Sequence, residues 1–352
     1  MITRPAALSQ PAGWQQELAA AIRDPAELIS YLGLDSALLP AAIRAARDFP
    51  LLVPLAYARR MQPGDPRDPL LRQVLPLGEE LEARPGYVSD PVGDLAAVRA
   101  PGVLGKYTGR TLLIATGACA IHCRYCFRRE FPYEDQRAAE AGWGRAVDEI
   151  RNDPGCREVI LSGGDPLVLG ERRLGALTVA LGGIPQLRRL RLHTRLPVVL
   201  PSRVNDALLA WLREVPLQVV LVLHANHPRE IDDGVREALA RLRRSGVTLL
   251  NQAVLLRGVN DDTDTLCELS EALFDAGALP YYLHLLDRVG GTAHFDVAES
   301  RATALVAAAA ARLPGYLVPR LVRENPGAPS KTPVTETTAG VTQVAEGPAA
   351  PL

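Results

Sequence analysis

From residue 111 onward the chain alternates short β-rich runs with segments of helix length, and this rhythm restricts the fold more than any other feature. The runs are TLLIAT, EVILS, LRRLRLHT, LQVVLVLH, VTLLNQAVLL and YYLHLL. Between them lie stretches such as DDGVREALARLRRSG, whose apolar stripe through Val235, Leu239 and Leu242 stops at Gly246, and TDTLCELSEALFDAG, which stops at Gly277. Strands separated by helical crossovers pair in parallel. The expectation is an α/β fold, a partial (open) parallel β/α barrel of about six units with an N-terminal helical extension. Too few units are present to close an eight-stranded barrel, and a doubly wound open sheet satisfies the same periodicity. Polar residues follow the strands: SGGD after the second run, HTR after the third, HANHP after the fourth. In both architectures the active site lies beyond the strands' C-terminal ends, so the pattern reads as an enzyme.

Ahead of this rhythm, residues 14–61 space their apolar positions by three and four, with Asp35 or Ser36 placed to begin a second helix. Residues 62–100, rich in Pro, Gly and acids, read as a partly helical connection over the surface. The chain divides into 1–100 (helical extension and connection), 101–323 (partial barrel), 324–335 (a short segment containing Lys331) and 336–352, expected to be a mobile tail. With 47% apolar residues the profile is globular, and a net charge of −1 gives no reason to expect nucleic acid or an anionic membrane as partner. No apolar run reaches the roughly 18 residues of a membrane span, and the N-terminus has no apolar signal core. An odd count of 5 cysteines argues against a disulfide framework. A reducing, cytoplasmic setting is the expectation.

Cys119, Cys123 and Cys126 are spaced C-x3-C-x2-C just after the first strand of the rhythm. A structural zinc site needs four protein ligands. His122 lies between two of the cysteines and would be strained as a co-ligand, while Cys156 and Cys267 are distant in sequence. Three thiolates on a [4Fe–4S] cluster, leaving one iron open to an outside ligand, is the preferred reading; zinc and incidental thiols are the alternatives. In SGGDP, the paired glycines let the backbone approach a ligand closely and Asp165 can attract an ammonium, although a strand-to-helix turn can carry the same residues.

The cysteine spacing, followed by an aromatic residue after a first strand, resembles the radical S-adenosylmethionine (SAM) enzymes. That resemblance implies that the open iron chelates SAM, and that Ser162, Gly163, Gly164 and Asp165 hold its amino group. The segments KYTGRTLLIATGACAIHCRYCFRRE, VILSGGDPL, RLPVVLPSRV, LHANHPREI, NQAVLLRGVND and PYYLHLLDRVGGTAHF together resemble the lysine 2,3-aminomutase family. The short branch, which makes β-lysine for modifying elongation factor P, is the most similar. The likeness covers roughly residues 65–335.

This resemblance implies an isomerase that moves the amino group of L-lysine from Cα to Cβ, starting from an adenosyl radical and regenerating SAM. It implies pyridoxal 5′-phosphate (PLP) as second cofactor, carried as a Schiff base on a lysine. In PRLVRENPGAPSKTP the positions Pro319, Val322, Pro326, Gly327 and Lys331 fall in register with the family's lysine-bearing segment, which assigns that role to Lys331. Lys106 is the only other lysine in the chain. Lys106, Tyr107 and Arg110 match PLP contacts, and Arg128 matches the grip on the substrate carboxylate. Asp287 and Glu324 match the acids that pair with the substrate's distal ammonium, Glu324 standing where the family has aspartate. His224 and Gln252 match SAM contacts, while His193, Thr194 and Arg195 line the same rim without an assigned role. An electron donor, a functional link to elongation factor P through a separate ligase, and a small oligomer are also implied. The alternatives are an aminomutase for another amino acid such as glutamate, and a non-catalytic zinc-binding interaction protein.

Overall fold

The computed structural model describes residues 13–136 and 143–335. Its sheet runs in sequential order through β1 (Val98–Ala100), β2 (Val103–Tyr107), β3 (Arg110–Thr116), β4 (Glu158–Gly163), β5 (Arg189–Thr194), β6 (Gln218–Leu223), β7 (Thr248–Val254), β8 (Leu279–His284), β9 (Arg320–Arg323) and β10 (Thr332–Pro333). Pairing is parallel from β3 to β9 and antiparallel at both ends. Among the described residues no pairing joins β10 to β1, so the sheet is open. The runs read from the sequence are β3 to β8. A further parallel strand, β9, and the antiparallel strands at the edges extend that reading. They were hidden because β1 and β2 are split by the Ala100–Pro101–Gly102 turn, with Gly102 at φ +76°, and because β10 is two residues long and contains a proline. The expected mobile tail, 336–352, lies outside the described residues.

Helices between the parallel strands cover the outer face of the sheet. Leu174, Leu177 and Leu181, then Val235, Leu239 and Leu242, are buried at helical spacing. Their entries are set by side-chain caps, with Asn205, Asp232 and Asp262 accepting from backbone amides of the first turn at 2.8–2.9 Å. Asp35 caps a short 3-10 turn, Ser36–Leu38, that leads into the helix Leu39–Asp48.

Side chains alternate across a strand, and here the alternation sorts chemistry from packing. On β5, Leu190 and Leu192 are buried in the outer core, whereas Arg191 and His193 line a cavity on the inner face. The same split puts Ile160 and Ser162 of β4, Gln252 and Val254 of β7, and Tyr282 and His284 of β8 on the cavity wall. A closed barrel of this kind fills its interior with branched apolar side chains. This interior holds charged and aromatic groups around open space instead.

The connection expected over the surface stays there in part, with residues 81–86 exposed, and dips into the interior elsewhere. Leu70, Leu71 and Val74 are fully buried, and Gln73, Glu80 and Asp94 are buried polar residues. The acids and prolines that read as solvent-facing are used as caps and counter-ions: Asp68 accepts from the Leu70 and Leu71 amides at 2.9 Å with Pro69 opening the helix Pro69–Arg72.

Leu161, fully buried in β4, offers the test of this packing. Leu161→Ala is expected to lower the unfolding free energy of the apoprotein in urea by about 2–5 kcal/mol. Val179→Ser, at a 74% exposed helix position, is expected to change it by less than about 0.5 kcal/mol.

Candidate active site

Cys119, Cys123 and Cys126 leave the end of β3 on a loop that the N-terminal region cradles. The His122 amide donates to Leu52 O at 3.0 Å and the Arg124 amide to Gln73 O at 2.9 Å. The Arg124 guanidinium is fully buried against Glu80, at 2.8 and 2.6 Å, so a charged pair fixes the loop from below. All three cysteines line the cavity and are free of disulfides. Burial, then repulsion between the sulfurs, pushes the Cys119 thiol up and the Cys126 thiol to about 11. Deprotonated together, they therefore require a cationic partner among them, which the irons of a cluster supply.

His122, the nearest fourth donor in sequence, is turned to Pro50 O at 2.8 Å through Nδ1 and stacks on Phe49. Among the described residues no group of three or more His, Cys, Asp or Glu converges on a single ion-sized point. A mononuclear zinc site requires such convergence. A cluster that gives each thiolate its own iron does not, and the cysteine loop fits it.

The SGGD segment lines the cavity, and its glycines also serve the packing of the cysteine loop. A Cβ on Gly164 would lie 2.2 Å from Ala118 O, and one on Gly163, at φ +102°, would lie 2.8 Å from Thr116 O. The glycines thus let the cysteine loop pack onto the end of β4, sealed by amide bonds from Gly164 to Thr116 O (2.7 Å) and from Asp165 to Ala118 O (2.8 Å). Asp165 accepts from the Leu167 amide, Thr194 Oγ1, the Arg195 amide and the Leu196 amide at 2.7–3.1 Å. These donors occupy the carboxylate's lone-pair positions, so the side chain expected to attract an ammonium is a clamp between strand ends. Ser162 Oγ accepts from Arg128 at 3.1 Å.

A chain of alternating charges starts at Arg128, two residues past the last cysteine, and runs along the cavity. Arg128 is buried and donates through Nε to Asp94 at 2.7 Å. Asp94 also accepts from Lys106 at 3.1 Å, Lys106 lies 3.0 Å from Glu324, and Glu324 accepts from Lys331 at 2.6 Å and from the Tyr107 hydroxyl at 2.5 Å. Burial alone would raise the carboxyl of Glu324, but Lys331 and Lys106 outweigh it and hold it at about 2. Asp94 is likewise held low by Arg128 and Lys106 against the effect of burial. Glu324, expected to pair with a substrate ammonium, is here the counter-ion of Lys331. The cause is the β9–β10 hairpin, which pairs Arg323 with Thr332 and folds Lys331 back over Glu324. Asp287 faces the same cavity, and burial pushes its carboxyl up to about 7.

His224 is half-buried with Nε2 2.8 Å from the Tyr125 hydroxyl, and desolvation drives its imidazole down to about 3. Gln252 lines the wall nearby. Arg110 lies over the Tyr107 ring at 4.9 Å, and its Nε–H is buried without a partner, as are Nε2 of His193 and of His284. Both imidazoles are held neutral by burial. Unsatisfied polar atoms on a cavity wall are what a polar ligand would complete, so the wall around Lys331 fits a phosphorylated, heteroaromatic cofactor.

Asp94, His284 and the connection carrying Asp94 were missed at the sequence level. Asp94 sits in a turn held by Asp90, whose carboxylate accepts from the Asp94 and Leu95 amides, and in sequence it is one acid among many. His284 carried a usable signal, since alternation along YYLHLL puts it on the face of Tyr282 near a strand end.

Known proteins sharing this sequence place the geometry in a family. The model of the Radical SAM superfamily matches residues 113–269. L-lysine 2,3-aminomutase of Escherichia coli K12 is 47% identical over 322 residues, 91% of this chain and 94% of that protein. The enzyme of the same name from Haemophilus influenzae is 44% identical over 91% of this chain and 94% of its own length. The one from Clostridium subterminale is 33% identical over 91% of this chain and 77% of its own length. Cysteine loop, open sheet and sequence agree: the chain belongs to the lysine 2,3-aminomutase family of the radical SAM superfamily, as an aminomutase-type isomerase with a [4Fe–4S] cluster and SAM as its family cofactors.

Proposed function

We propose that this enzyme converts L-lysine to β-lysine, with the cluster held by Cys119, Cys123 and Cys126 and with PLP held by Lys331. The observation that carries this reading is that one cavity is lined both by the three cysteines and by Lys331, Asp287 and Arg128. When bound, SAM at the cluster supplies a radical that abstracts hydrogen, and PLP supplies a π-system through which the substrate nitrogen can migrate.

The chain's own residues position and shield. Arg128 is held rigid by Asp94 and Ser162, and a guanidinium fixed in this way suits a substrate carboxylate. Asp287 suits the distal ammonium, because a cation brought beside it restores the charge that burial suppresses. Glu324, paired with Lys331 in the free enzyme, would be the second acid at this end of the cavity. Two acids at this end favour lysine over glutamate, for which a cation would be needed. Arg110, with its unpaired Nε–H, and Lys106 suit the cofactor phosphate. His224 and Gln252 line the same cavity and suit polar contacts to SAM. No helix among the described residues is long and apolar enough to cross a membrane. The reading places the enzyme in the cytoplasm, supplied by a low-potential electron donor and forming a small oligomer. Its product would feed the modification of elongation factor P through a separate ligase, a role supported by the likeness to the short branch of the family.

Mass-spectrometric analysis after anaerobic incubation with L-lysine, SAM, PLP and dithionite should find β-lysine; an intact cluster with no β-lysine would overturn the activity. Borohydride reduction should fix the mass of PLP on the peptide containing Lys331, and Lys331→Ala should abolish both the label and turnover. Iron and sulfide should be lost from Cys119→Ala, Cys123→Ala and Cys126→Ala but retained by Cys156→Ala and Cys267→Ala, whose thiols are buried elsewhere. The Asp287 carboxyl, raised to about 7 in the free enzyme, is neutral below that pH and ionised above it. Hence kcat/KM for lysine should climb as pH rises through about 7. Asp287→Asn should lose that limb and cost roughly 2–5 kcal/mol in kcat/KM, about thirtyfold to several thousandfold.

A further inference from the structure

Arg195 follows β5 and is buried, and the resemblance gives it no role. Its Nη1 donates to Cys123 Sγ at 2.8 Å and to the Tyr125 hydroxyl at 2.8 Å. Its Nη2 donates to Gln73 Oε1 at 2.6 Å, Glu230 Oε2 at 2.8 Å and the Tyr57 hydroxyl at 3.2 Å. The backbone amide of the same residue is clamped to Asp165 at 2.7 Å. A planar guanidinium fastened at both terminal nitrogens and at its own backbone is held in place, its buried Nε–H alone lacking a partner. It therefore presents a fixed positive charge and a fixed hydrogen bond to the sulfur of the middle cysteine. Glu230, fully buried and bonded by the Asn226 and His227 amides at 2.8 and 3.1 Å, sits on the far side of the guanidinium and sets how much of its charge is compensated.

We propose that Arg195 and Glu230 form a buried charge relay that sets the reduction potential of the cluster through Cys123. On accepting one electron from an external low-potential donor, the cluster gains one unit of negative charge, which delocalises onto its thiolate ligands. A donor hydrogen bond to such a sulfur, with a cation behind it, stabilises the reduced form and raises the potential; a carboxylate behind the cation moderates the rise. Arg195 acts here as a positioning residue, since it works through a ligand sulfur and not on the substrate. The inference rests on the reading of the three cysteines as cluster ligands, and the iron and sulfide content of the same samples tests that reading separately.

The test is a potentiometric titration of the anaerobically reconstituted full-length enzyme, followed by the electron paramagnetic resonance signal of the reduced cluster. Arg195→Gln is expected to shift the midpoint potential downward and Glu230→Gln to shift it upward, with iron content unchanged in both. Arg195→Lys, which keeps the cation, is expected to recover part of the downward shift. Should Arg195→Gln fail to hold iron, the upward shift in the isosteric Glu230→Gln still decides the matter. Midpoints that stay at the wild-type value in loaded variants, or that move in the same direction in both, would overturn the proposal. Wild-type enzyme holding no iron or sulfide would instead refute the cluster reading beneath it.

Discussion

The Asp165 carboxylate is almost sealed from solvent, so its charge has to be met by protein donors, and the donors come from neighbouring strand ends. Through Thr194, Arg195 and Leu196 it binds the loop after β5; through its own amide it holds the start of the cysteine loop at Ala118. Burial raises its carboxyl in spite of these bonds, so the clamp is held at an electrostatic expense that the rest of the rim depends on. Because the parallel strands all end on one rim, fixing one strand end relative to the next fixes the relative positions of the side chains that line the cavity. The close approach at Gly163 and Gly164 is a second consequence, since the cysteine loop reaches this clamp only over residues without a Cβ.

Charge inside the sheet is organised as alternating pairs. Arg124 answers Glu80, Arg195 answers Glu230, and Asp94 stands between Arg128 and Lys106. Replacing such pairs by apolar groups can be neutral for stability, so their presence is better explained by the site they surround. Two of these fixed cations face a further anionic group, a cysteine sulfur for Arg195 and the proposed substrate carboxylate for Arg128. Asp287 is the exception, an acid raised by burial and left to face the cavity, which is what a site for a cationic side chain requires.

The sequence made the parallel strands β3 to β8 legible because their apolar runs and intervening helices carry opposite periodicities. The cysteine trio was legible because its spacing is rare outside metal chemistry. Lys331 stood out through register with a family segment, and through scarcity in a chain that uses arginine almost everywhere else. What stayed hidden shares a physical cause. Asp94, Gln73 and Glu80 lie in a stretch whose polar composition reads as surface, yet each is buried by partners far away in sequence. Glu324 could be placed as an acid near Lys331 but not as its ion-pair partner, because that contact depends on a short hairpin containing Pro333, which propensity disfavours. Asp165 was legible as important and misread in role, since a carboxylate's function depends on whether its lone pairs are already taken.

The proposed function rests on an asymmetry: three cysteines would hold a cluster of four irons and leave one iron for SAM. Mössbauer spectroscopy of protein reconstituted with 57Fe, before and after addition of SAM, reads that asymmetry directly. The account predicts that addition of SAM changes the parameters of one iron in the cluster and leaves the other three as they were. Spectra indifferent to SAM, or a preparation that takes up zinc and refuses iron under anaerobic conditions, would contradict it.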